Sequence, residues 1–148
     1  MKSRFLIFTL FLAVMCLGSA SNAMAQSVTG TGVLPISTET TTTLTVSSNG
    51  GSGGIMRFGQ AQNQGVAQPV DQCVQGNTAF VVAQITHASG GFAGTEGQFL
   101  VFGFVDNGND GDLVLFGPIF PEQVPACDLF NFPFFPVPVE RGGFQVKP

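Results

Sequence analysis

The segment 98–105 (QFLVFGFV) is apolar on both faces of an extended strand, with Leu100, Phe102 and Phe104 opposite Phe99, Val101 and Val105. A strand of this kind must be covered on both sides, which makes it a central strand. The preceding run 78–86 has the same character in weaker form. Alternation puts Ala79, Val81, Ala83 and Ile85 on one face, and the mixed set Thr78, Phe80, Val82, Gln84 and Thr86 on the other. Further strand signals lie at 27–34, at the β-branched run 40–46, at 55–58, 70–74, 112–116 and 143–147, separated by Gly and Asn clusters such as 49–54. No segment reads as a capped amphipathic helix. Charged residues make up only 9% of the chain, too few for the solvent faces of a helical bundle. The expected fold is all-β: a single small antiparallel β-barrel or β-sandwich of about eight short strands.

Residues 1–25 read as a cleaved signal peptide: Lys2 and Arg4, then an apolar run from Phe5 to Leu17, then Ala23-Met24-Ala25 before a mature start at Gln26. The run is shorter than the roughly 20 residues of a spanning helix. Cys16 raises a lipoprotein alternative, which Met15 before it and Leu17 after it disfavour. Removing the segment leaves residues 26–148 with three basic and nine acidic side chains, a formal charge of −6. That balance excludes the basic footprint of a nucleic-acid binder. An outer-membrane barrel is disfavoured because its aromatic girdles are rich in Trp and Tyr, and the chain has neither. The expected location is secreted or periplasmic, with no membrane attachment after cleavage.

Cys73 and Cys127 are the two cysteines beyond the signal, and an even pair in an exported chain predicts a disulfide. No C-x-x-C and a single histidine, His87, speak against a redox or zinc pair. Six of the nine prolines, with Phe120, Phe130, Phe132, Phe134 and Phe135, fall in 118–138. This stretch reads as a long extended loop, pinned by Cys127, whose phenylalanines cover an open end of the core.

Four short segments carry a resemblance. They are Val28-Thr29-Gly30-Thr31-Gly32, Gly76-Asn77-Thr78-Ala79 after Cys73, Asp106-Asn107-Gly108 and Glu140-Arg141-Gly142-Gly143-Phe144-Gln145-Val146. Together they resemble an uncharacterised family of small bacterial secreted β-rich domains with a GN-x-A, DNG and ERG-x-F-x-V pattern. The resemblance implies a β-rich secreted domain and no particular activity. Thr31 and Gly143 depart from it, standing where the family pattern has Gly and Asn. Without the family, Gly76-Asn77 and Asn107-Gly108 still read as hairpin turns with positive backbone angles.

Candidate chemistry is sparse. Alternation places His87 on the face of Val81 and Ile85, at a strand end, where a structural role outweighs a catalytic one. Asp106, Asp110 and Asp112 lie close enough in sequence to suggest a carboxylate pair, but the chain lacks the Trp and Tyr platforms of a sugar cleft. The loop 106–112 also resembles a calcium loop, with Asp106, Asn107, Asp110 and Asp112 as oxygen ligands and Gly111 at the sixth position. Gly108 and Gly117 occupy ligand positions, so a polar hairpin turn is the preferred reading and Ca²⁺ the alternative; no other cofactor is implied. The expected function is non-enzymatic, a structural or binding role outside the cell with an extracellular or envelope partner. A self-assembling matrix or biofilm component is the first alternative, and a weak carboxylate-dependent hydrolase the second.

Overall fold

A computed structural model describes residues 26–37, 40–50 and 53–148; the signal-peptide reading of 1–25, with Cys16, lies outside them. Nine strands follow in chain order: β1 (Ser27–Ser37), β2 (Thr40–Asn49), β3 (Gly54–Gln60), β4 (Asn63–Gln75), β5 (Thr78–Ala88), β6 (Phe99–Val105), β7 (Leu113–Phe120), β8 (Phe135–Pro138) and β9 (Arg141–Lys147). All pairings are antiparallel, in the order β8-β7-β6-β5-β4-β3-β2-β1-β9. The sheet curls into a half-barrel whose two end strands are neighbours in sequence. Only Val139 and Glu140 separate them: the Val139 N–H donates to Asp112 O (3.0 Å) and the Glu140 N–H to Val33 O (2.9 Å). The last stretch of chain thus pairs first with one end of the sheet and then with the other.

The alternation in 78–86 and 98–105 sets the two faces as expected. Ala79, Val81, Ala83, Ile85, Leu100, Phe102 and Phe104 turn into the concave interior with Val28, Leu44, Met56, Val114 and Phe144. Phenylalanine rings run through this interior, Phe58 near Phe102, Phe102 near Phe104, and Phe104 near Phe144 at 4.8 Å between centroids. Three rings lie opposite a glycine on the neighbouring strand: Phe58 on Gly65, Phe80 on Gly103 and Phe144 on Gly30. A missing side chain on one strand makes room for a ring from the next, inside the curled sheet for Phe58 and Phe144 and on its convex face for Phe80. A methyl group on Gly65 would fall within the Phe58 ring. Gly65→Ala is therefore expected to destabilise the fold by about 1–3 kcal/mol. Gly53→Ala, which meets nothing, should stay within about 0.5 kcal/mol. Equal urea midpoints for the two variants would show that the Phe58 ring can step aside.

The Pro/Phe-rich stretch corrects two expectations. It is not one loop: Pro118 to Phe120 finish β7, and 135–138 form β8, one strand more than the sequence predicts. The prolines of β8 are compatible with an edge. Val137 and Phe135 face β7, while Pro136 and Pro138 fall on the outward side, where no ladder N–H is needed. Nor do its phenylalanines cover an open end. Residues 121–134, with the 3₁₀ segment Ala126–Asn131, lie on the convex face of β4 to β7. There Phe130 and Phe134 sit 4.8 and 5.0 Å from Phe80, over Val82 and Val101. The ring that packs beside Phe58 is Phe92, from the 3₁₀ turn Gly90–Phe92 between β5 and β6, at 5.1 Å.

Candidate functional site

The four segments that carry the family resemblance meet at the seam where the curled sheet closes. Gly76 and Gly108 take the positive φ of their turns (61° and 58°), leaving the adjacent asparagines free to act through their side chains. Asn77 Nδ2 donates to Asp106 O (3.0 Å) and to Asn107 Oδ1 (3.2 Å), and the Asp106 N–H donates back to Asn77 O (2.9 Å). This locks the β4–β5 turn against the β6–β7 loop.

The aspartates of that loop then face the free edge of β9. The Phe144 N–H donates to Asp112 Oδ2 (2.6 Å) and the Val146 N–H to Asp106 Oδ2 (3.2 Å). The other oxygens close the loop itself: Asp112 Oδ1 accepts the Asn107 N–H (3.1 Å) and Asp106 Oδ1 the Gly108 N–H (3.1 Å). Alternate residues of an edge strand point their N–H groups outward, and here two successive outward donors are each taken by a carboxylate. Gly143 leaves room for this pairing: a Cβ there would sit 2.9 Å from Asp112 Oδ2, in the path of the bond to Phe144. Thr31 is exposed and its hydroxyl meets that of Thr45 at 3.1 Å.

Three of the four calcium candidates in this loop bond the chain's own backbone. Asp106 and Asp112 turn their oxygens to backbone N–H groups, Asp110 is exposed on the 3₁₀ turn, and Asn107 Nδ2 donates to Gly111 O (3.0 Å). Among the described residues, no three His, Cys, Asp or Glu side chains gather into a metal-holding group. The seam is bordered by an open groove of about 480 Å³, lined by Asp106, Asn109, Asp112, Gly142 and Gln145.

His87 is also displaced from its expected face. The β4–β5 register passes from Val66↔His87 to Ala67↔Ile85, so Thr86 is an extra residue, and its hydroxyl donates to Val66 O (3.1 Å). This bulge turns His87 outward and Ala88 inward. Cys73 and Cys127 form the expected disulfide, with Cα atoms 5.0 Å apart. Sequence reading missed the clamp beside it, Asp71, whose Oδ2 accepts the Ala126 N–H (2.8 Å) and whose Oδ1 accepts the Gln72 N–H (2.8 Å). Glu96 plays the same part in the β5–β6 loop. Backbone N–H groups, Gly94 and Ala88 among them, hold its carboxyl below the usual glutamate range.

A second groove, of about 270 Å³, opens on the convex face around Arg57, between Thr43, Thr45 and Gln64, where Gly59 has no side chain. The outward alternation of Thr43, Thr45 and Ser47 around an isolated arginine was the available sequence signal for it.

Fold and seam define a class, an antiparallel half-barrel closed by carboxylates and stapled to an outer lid by one disulfide. No protein-family model, curated protein or solved structure matches the chain. Among the described residues no helix is long and apolar enough to cross a membrane.

Proposed function

We propose that this is a secreted, non-enzymatic β-domain of the small bacterial type it resembles, with a structural or binding role outside the cell. The observation that carries the reading is how the acidic side chains are used. Asp71, Glu96, Asp106 and Asp112, the carboxylates with an ordered environment, all accept backbone N–H bonds that hold turns, lid and seam. General acid–base chemistry needs a carboxyl or imidazole aimed at a substrate. Here the same groups are aimed at the chain itself, and His87 lies outward near Glu96, whose carboxyl is already held by backbone N–H groups. The disulfide supports an oxidising compartment. Blunted edges, with Pro136 and Pro138 on β8 and aspartates on β9, favour a discrete globule over the self-assembling alternative.

The test is a panel of chromogenic esters, glycosides and phosphates with the exported protein. The expected result is no turnover above buffer. Turnover that disappears in Asp110→Asn or His87→Ala would replace this reading with the hydrolase.

A further inference from the structure

Beyond residue 25 the chain has three cations, Arg57, Arg141 and Lys147. All three are exposed at outward positions of β3 and β9, the outer two of four consecutive strands β9-β1-β2-β3. Those four strands contain no Asp or Glu at all. The acids lie in β4 and in the connections, Glu140 just ahead of β9 and Glu39 outside the described residues. In a chain whose mature part carries −6, the described charged side chains of these four strands are thus all positive, while Asp106 and Asp112 border them along the edge of β9.

Between the cations that face is built of hydroxyls and amides. Register places Arg57, Thr45 and Thr31 in one row running toward Gly143, and Ile55, Ser47, Thr29 and Gln145 in the next. With strands about 4.8 Å apart, the row from β3 to β9 is about 14 Å long. The Arg57 groove, flanked by Thr43, Thr45 and Gln64, lies at one end of it.

We propose that this face, anchored at the Arg57 groove, binds an extended carboxylate-bearing polysaccharide. An extended polyanion matches a convex face whose own charged side chains, Arg57 on β3 with Arg141 and Lys147 on β9, are all cationic. Rows of Thr, Ser and Gln suit sugar hydroxyls, while the guanidinium supplies the fork that a carboxylate accepts. With neither Trp nor Tyr in the chain, a neutral sugar has no such ring to stack on, so charge must carry the selectivity. The proposal rests on the extracellular binding role above and names its partner.

Calorimetric titration of the exported protein with polygalacturonate, dextran and dextran sulfate tests it. Binding is expected for polygalacturonate and absent for dextran. It should weaken as NaCl rises from about 50 to about 500 mM. Arg57→Gln should lose about tenfold in affinity with an unchanged melting temperature, Arg57→Lys should keep part of it, and Glu122→Gln on the lid should match the wild type. Equal affinity of Arg57→Gln and wild type, binding to dextran, or binding to dextran sulfate alone would overturn the proposal. Failure to bind any of the three would do the same and leave the non-enzymatic reading standing, because that reading falls only to turnover in the substrate panel.

Discussion

Replacing Asp112 by alanine is expected to lower the stability of the protein by about 2–4 kcal/mol, the largest effect of any single acidic residue. Asp112 is 9% exposed and its two oxygens serve two donors, the Asn107 N–H and the Phe144 N–H. Each donor left without a partner away from water costs about 1–3 kcal/mol, and Phe144 lies in the core. The loss also acts on topology, because Phe144 belongs to the edge that the carboxylate covers. Asp112→Asn separates the two contributions. It keeps one acceptor and turns an NH₂ toward the second N–H, so its loss should fall between wild type and Asp112→Ala. Asp106, less buried and bound to Val146, should cost less than Asp112 on truncation. Urea unfolding of the three variants provides the measurement. An Asp112→Ala midpoint equal to wild type would mean that the Val139 and Glu140 backbone bonds close the sheet unaided. Exposure of the β9 edge should further make Asp112→Ala more prone to associate, visible as concentration-dependent sedimentation.

Local pattern made the central strands legible and long-range pairing hid the seam. In 98–105 and 78–86 the alternation alone assigns each side chain to the concave or the convex face, because the period of a strand is fixed. The register of β6 with β7, from Val105↔Leu113 to Phe102↔Phe116, likewise follows from the short polar turn between them. Strand β8 escaped because Pro136 and Pro138 read as strand breakers, and they are tolerated only because nothing pairs on their outward side. His87 escaped because a bulge is a property of two strands, and the extra residue at Thr86 is defined only against Val66 and Ala67. The aspartate seam joins residues 32 and 40 apart in sequence. From sequence the loop is rightly a polar turn; that its carboxylates finish a distant sheet edge depends on how the sheet curls. The same curvature separates the roles of the phenylalanines, which composition alone cannot assign to an inner core or an outer lid.

That separation decides what the disulfide does, and Cys73→Ala with Cys127→Ala is the variant that exposes it. Cys73 lies in β4 on the convex face and Cys127 in the 3₁₀ segment of the lid, 54 residues apart in sequence. Closing a loop of about 55 residues contributes about 4 kcal/mol in the chain-entropy account. For a domain of this size that corresponds to a fall in melting temperature on the order of 15 °C. The concave core contains no residue of 121–134, whereas the convex cluster of Phe80, Val82 and Val101 is completed by Ala126 and Leu129. Removing the bridge should therefore loosen the lid before the sheet. Protease should cut first within 121–134, and an apolar dye should bind the uncovered Phe80 surface, while amides of β5 and β6 stay protected from exchange. Two weaker restraints oppose release: the Asp71 bond to the Ala126 N–H and the packing of Phe130 and Phe134 on Phe80. Adding Asp71→Ala to the double variant should accelerate cleavage further. If the double variant resists protease as well as wild type does, ring packing alone holds the lid and the bridge acts only on the unfolded chain. If lid and sheet lose protection together, the two cores fold as one unit and the convex cluster is as essential to the half-barrel as its interior.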